Sequence, residues 1–141
     1  MILDTNVISE PLRGAAANGM VKDWLDRQVV GTLFLTTTSL SELLLGVEIL
    51  PAGKRREILV ASLRSLLEQL FANRILPFDE NAARAYAPMM KRARAAGRAI
   101  SMADGQIAAI AAVNDFAVAT RDTAPFLAAG VQTINPWTTG A

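Results

Sequence analysis

At 141 residues the chain is long enough to bury one core and short for two, so a single domain spanning 1–141 is expected. Apolar residues make up 52%, but charges or turn residues interrupt every apolar run, which excludes a membrane span of roughly 18 residues. No Cys, no His and 14 basic against 13 acidic residues exclude disulfides, thiolate nucleophiles, cysteine zinc sites and a histidine base, and leave total charge silent about nucleic acid.

The opening MILDTN reads as a short buried strand running into a helix, with Asp4 where the apolar run stops. Asp4, Asn6 and Glu10 also interrupt the place where a secretory signal needs an unbroken apolar stretch, so a cytoplasmic protein is expected. In MVKDWLDRQ, Val21, Trp24, Leu25 and Val29 share one face at helical spacing, which makes Trp24 a core residue between exposed Asp23 and Asp26. LFLTTTS at 33–39 repeats the opening design, and the helix SELLLGVEIL follows it. KRREILVASLRSLLEQLFA is a long amphipathic helix, and RILPF at 74–78 a further strand. Asp79 and Glu80 then read as cap and first-turn acids of NAARAYAPMMKRARAA, in which Pro88 predicts a kink and Gly97 the stop. MADGQIAAIAAVN reads as a buried Ala-rich helix, FAVATRD at 116–122 as a strand, and GVQTINPW at 130–137 as a closing edge strand. Strands alternating with helices point to an α/β fold, a mainly parallel sheet with helices on both faces.

Four acids stand out by position: Asp4, Glu42, Asp104 and Asp122. Each has an ordinary structural explanation. Asp4 fits a helix cap, Ser39 to Glu42 and Ser101 to Asp104 fit capping boxes, and Asp122 fits a cap over 123–127. Together they carry more. In a parallel sheet the carboxyl ends of the strands and the following helix starts share one edge, so all four converge on one crevice. Two carboxylates about 4 Å apart repel by roughly 4 kcal/mol at an effective dielectric near 20. Helix N-termini offset at most about a quarter of that, at about 0.3–1 kcal/mol each, whereas a divalent cation offsets far more. Oxygen-only ligands select a hard ion, Mg²⁺ or Mn²⁺, and phosphodiester hydrolysis is the chemistry such a site fits best.

ILDTN at 2–6, TSLSELLLG at 38–46, ISMADGQIAAIA at 100–111 and VATRD at 118–122 together resemble a PIN domain, in that family's order and over nearly the whole chain. ILDTNVISEPLR, RILPFDE and NPW narrow the resemblance to the VapC toxins of bacterial toxin–antitoxin pairs, and within them to the FitB-like branch. The resemblance implies a three-layer α/β/α sandwich around about five short strands, and an endoribonuclease dependent on Mg²⁺ or Mn²⁺. It implies Asp4, Glu42, Asp104 and Asp122 as metal-binding catalytic acids, Asp122 being the least uniform of them, with Thr5, Asn6 and Thr120 in support. It also implies a homodimer and a VapB/FitA-like antitoxin that fills the acidic groove, builds a higher hetero-oligomer and alone touches DNA.

Lys54 and Arg55 in KRRE, Arg92 in KRAR with Arg98 beyond, and Arg121 beside Asp122 are candidate contacts for an RNA backbone, although such runs are more often solvated helix faces. Trp137 reads as packing at the sheet edge or at a dimer contact. Glu48, six residues past Glu42, lies on another side of its helix and stays out of the site. Two rivals compete with the nuclease. An aspartyl-phosphate phosphatase would use Asp4 as nucleophile but lacks its second acid, since Asn6 stands there. A catalytically weak PIN-like module would bind RNA or a partner without cutting; metal-dependent cleavage separates it from the nuclease.

Overall fold

The computed structural model describes residues 1–138. Five two-residue strands organise it: β1 Ile2–Leu3, β2 Leu35–Thr36, β3 Ile75–Leu76, β4 Val118–Ala119 and β5 Thr133–Ile134. β1, β4 and β5 form one parallel ladder and β2 and β3 another. A parallel bridge between Ile2 and Phe34 joins the two, with Leu3 N donating to Phe34 O at 3.0 Å and Phe34 N to Met1 O at 2.9 Å. The order across the joined sheet is therefore β3-β2-β1-β4-β5. Successive strands are added outward from β1 on one side, and the chain then returns to build β4 and β5 on the other. That reversal between β1 and β4 is where an open parallel sheet forms a crevice at its carboxyl ends.

The helices are α1 Thr5–Ser9, α2 Gly19–Asp26, α3 Thr37–Glu48, α4 Lys54–Leu70, α5 Glu80–Ala95, α6 Met102–Asn114 and α7 Ala124–Ala128. Alternate strand residues face opposite ways, and the core divides accordingly. Ile2 and Val118 pack with Ile107 and Ile110 of α6, Met89 of α5 and Phe126 of α7. Leu3, Leu35 and Ala119 pack on the other side with α1 to α4, through Val7, Trp24, Leu43 and Leu63. The result is the expected three layers. No helix of the described residues is long and apolar enough to cross a membrane.

Several helix ends differ from the sequence expectation. Val29 was expected on the buried face of α2, but the helix stops at Asp26 and Val29 is 70% exposed. Gln28 explains the stop: its side-chain amide donates to Trp24 O, and its backbone N–H turns to Leu25 O. α3 begins two residues before Ser39, because Thr36 at the end of β2 caps it by accepting from Ser39 N at 3.0 Å. The capping box expected from Ser39 to Glu42 is thus absent, and Glu42 stands in the second turn. Nor does Asp122 cap α7; Thr123 occupies the cap position and makes no side-chain cap hydrogen bond. Ser101 and Asp79 do cap, accepting from Asp104 N at 3.1 Å and Ala82 N at 3.0 Å. α5 continues through Pro88 and closes at Gly97, whose φ of 77° lets Arg98 N reach Ala93 O and Gly97 N reach Arg94 O.

Candidate active site

Asp4 is the first residue beyond β1, and the residue is only 6% exposed. A carboxylate this buried needs donors, and it has them. Thr5 N donates to Oδ1 at 2.8 Å, Thr120 Oγ1 donates to Oδ2 at 2.8 Å, and Asn6 Nδ2 approaches Oδ2 at 3.4 Å. Thr120, just past β4, is completely buried, so the two sides of the switch point are tied by one hydroxyl. That hydroxyl also accepts from Asp122 N at 3.1 Å. Asn6 braces the same loop, its Oδ1 accepting from Arg121 N at 3.2 Å.

Glu42 arrives from α3, where Thr5 Oγ1 donates to its Oε1 at 2.9 Å. Asp104 arrives in the first turn of α6, set by the Ser101 cap. Burial pushes the Asp4 carboxyl above its ordinary range, against the opposing pull of the Thr120 and Thr5 hydrogen bonds, and the negative charges of Asp104 and Glu42 push it further. Burial likewise raises Asp104; the Ser101 hydroxyl opposes this, and the charges of Asp122 and Glu42 add to it. The four acids therefore share one electrostatic neighbourhood, although they come from four separate segments.

They do not close into a ready-made cage: among the described residues no three acidic side chains form a group compact enough to hold a metal ion. A hard cation of the Mg²⁺ type does not require one, since it commonly takes one or two carboxylates and keeps several waters. The donor set is all oxygen, and its two most buried members are destabilised as anions. These residues fit such an ion.

The PIN domain family model matches residues 1–131. The chain belongs to the PIN-domain family. Within it, this PIN domain falls in the VapC group, on the FitB side. It is 50% identical over 137 residues to the plasmid stability protein StbB of Pseudomonas syringae pv. tomato, covering 97% of this chain and 98% of that protein. It is 47% identical to the VapC ribonuclease Y4jK of Sinorhizobium fredii, covering 97% of each, and 46% identical to Toxin FitB of Neisseria gonorrhoeae, covering 97% and 98%. The solved structure of FitAB bound to an IR36 DNA fragment matches with a TM-score of 0.91 at 45% identity, over 96% of this chain and 94% of that one.

The candidate basic residues divide. Arg121 is next to the acids, its backbone held by Asn6 and by Asn135 Nδ2 at 3.4 Å, and its guanidinium lies 5.3 Å from the centre of the Trp137 ring. It pairs with no acid among the described residues. Lys54 and Arg55 are exposed at the start of α4, and Arg92 is exposed on α5; none of them lines the cavity beside Asp104 and Asp122. Glu48 is occupied elsewhere, paired with Arg56 at 3.0 Å. The pattern of the sequence missed Glu10, a buried residue only 6% exposed, whose carboxylate accepts from Asn18 N and Arg13 Nη1 at 3.0 Å each. It fastens the 3-10 segment Glu10–Ala16 to α2 and takes no part in the acid cluster.

Proposed function

We propose that this PIN domain, acting as one unit, is a divalent-metal-dependent endoribonuclease and the toxin of a bacterial toxin–antitoxin pair. The observation that supports it most is the convergence of the four acids at the sheet's switch point, where Thr120 joins Asp4 to the Asp122 backbone, Thr5 holds Glu42, and Asp104 and Asp122 line one cavity. The names of its relatives, a VapC ribonuclease and Toxin FitB, support the same reading. Asp4, Asp104 and Asp122, with Glu42, would hold Mg²⁺ or Mn²⁺. Bound there, such an ion lowers the pKa of a water and neutralises charge on the phosphate oxygens of RNA.

The chain's own residues supply the rest. Thr120 and Thr5 N hold Asp4 with both oxygens oriented, Thr5 Oγ1 fixes Glu42, and Asn6 keeps the loop after β4 against the loop after β1. Asn6 rather than an acid at the second position after Asp4 leaves an aspartyl-phosphate mechanism without its proton donor. The solved FitAB structure, bound to a DNA fragment, supports a FitA-like or VapB-like antitoxin as partner; we propose further that this antitoxin covers the acids and alone touches DNA, and that the toxin forms a homodimer within a larger hetero-oligomer in the cytoplasm.

The test is cleavage of labelled single-stranded RNA and total tRNA by antitoxin-free protein in Mg²⁺, Mn²⁺ or EDTA, beside Asp4→Asn. Cleavage is expected only with metal and only in the wild type. Equal cleavage by both proteins, or metal binding without any cleavage, would refute the nuclease and leave a binding module.

A further inference from the structure

Two of the acids, Asp104 and Asp122, line a cavity of about 370 Å³ together with Arg98, Ile100 and Pro125. A second cavity of about 290 Å³ adjoins it, sharing Arg98, Ala99 and Ile100 and reaching Arg94. The two form one trough leading from the carboxylates past Arg98 to Arg94. Neither guanidinium forms an ion pair or a side-chain hydrogen bond among the described residues, so their donors are uncommitted. Their placement is fixed by the turn that ends α5. Gly97, at φ 77°, reverses the chain so that Arg98 N binds Ala93 O and Gly97 N binds Arg94 O.

We propose that this trough is the track for the RNA strand on one side of the scissile bond, with Arg98 and Arg94 binding consecutive backbone phosphates and Ile100, which lines both cavities, packing beneath the intervening nucleotide. The inference rests on the nuclease reading and adds to it a direction and two residues. A polyanion presented to a cluster of carboxylates needs cations at its flank to remain there, and an arginine's planar fork suits a phosphate better than a diffuse charge does. The exposed basic residues Lys91 and Arg92, on the same helix, line neither cavity. The trough therefore distinguishes arginines that a charge count treats alike.

The experiment is fluorescence-anisotropy titration of a labelled single-stranded RNA with antitoxin-free protein in Ca²⁺ at several salt concentrations, the RNA being checked on a gel for intactness. Arg98→Ala and Arg94→Ala are each expected to weaken binding roughly three- to tenfold near 0.1 M salt and to reduce the log-log salt slope by about 0.7, while Lys91→Ala leaves both near wild type. All three variants should melt with the wild type, since each changes an exposed side chain. Equal losses in all three would mean diffuse attraction and overturn the trough. So would an Arg98→Ala protein that binds RNA normally but loses affinity for the antitoxin, which would make the trough a partner surface. Wild type that binds RNA in this pattern yet never cuts it would refute the nuclease while the track stands; metal-dependent cutting with normal RNA binding by Arg98→Ala would do the reverse.

Discussion

Thr120 Oγ1 donates its single proton to Asp4 Oδ2 at 2.8 Å, joining residues 116 positions apart in sequence at the ends of adjacent strands. The same oxygen accepts from Asp122 N, so one hydroxyl orients two of the four acids. Thr120→Val keeps the shape and removes both roles. A hydrogen bond to a charged group contributes about 1.5–3 kcal/mol, so kcat/KM for RNA should fall by about 10- to 100-fold. Thr120→Ser, which retains the hydroxyl, should recover most of the loss. Metal-dependent RNA cleavage by the three proteins checks this; a Val variant as active as wild type beside an impaired Ser variant would mean that the methyl packing, and not the donor, matters.

The clustered acids make a pH-dependent liability. Asp4 and Asp104 have folded pKa values above their unfolded values. Over the interval between the two values the folded state binds more protons than the unfolded state, so stability falls as pH rises. The interval begins near the ordinary carboxylate value of about 3.9 and extends upward to the raised folded value. Below it both states are protonated and nothing is lost. Asp104→Asn should therefore flatten the decline and raise the metal-free Tm at neutral pH, while weakening the stabilisation that Mg²⁺ or Mn²⁺ gives. Thermal melts from pH 4 to 8, with EDTA and with metal, would measure both effects, and a lower metal-free Tm for the variant would contradict the shared neighbourhood.

Gly105 follows Asp104 where α6 presses on α5. A Cβ there would stand 2.7 Å from Met90 Sδ and 2.8 Å from Tyr86 Cε2. Met90 is flexible and can yield, but the Tyr86 ring is held edge-on against Phe78 at 5.9 Å. Replacing a helical glycine with alanine gains up to about 1 kcal/mol of helix propensity, whereas overpacking costs about 1–3 kcal/mol. The clash should win. Gly105→Ala is expected to lower stability by about 1 kcal/mol in urea unfolding and Gly105→Val by more, with activity falling further than unfolding accounts for because Asp104 is displaced. A stabilised Gly105→Ala would show that Met90 absorbs the whole contact.

What could be read from the sequence was whatever local pattern encodes. Asp4 was legible because it ends an apolar run, Asp104 because Ser101 stands three residues before it, and the three layers because strand and helix periods alternate. Thr120's support of the acids came from the family resemblance and not from any period, and the Arg121 to Trp137 contact was not legible, since it joins distant segments through side chains that no periodicity marks. Errors at helix ends arose where two cap candidates compete: Thr36 and Ser39 both offer a hydroxyl, and Thr36 takes the cap by accepting from Ser39 N. Glu10 escaped notice because nothing in EPLRG signals a buried acid. Its partner Asn18 N lies beyond the turn.

Ser39 is the one described side chain whose buried polar atom has no hydrogen-bond partner, and its residue is fully buried. Ser41, two residues on, bonds back to Thr37 O and Thr38 O, and Ser39 does not do likewise. An unmet buried hydroxyl costs about 1–3 kcal/mol, and alanine is also the better helix former. Ser39→Ala should consequently raise the Tm, by about 3–5 °C for each kcal/mol gained in a chain of this length. A fall in Tm would mean that the hydroxyl is satisfied by a buried water that the substitution expels. The activity of the same variant carries separate information, because Ser39 lies one helical turn before Glu42. A higher Tm with unchanged cleavage makes the hydroxyl a plain cost to folding; a higher Tm with lost cleavage means that α3 keeps the hydroxyl to position Glu42 when RNA and metal are bound.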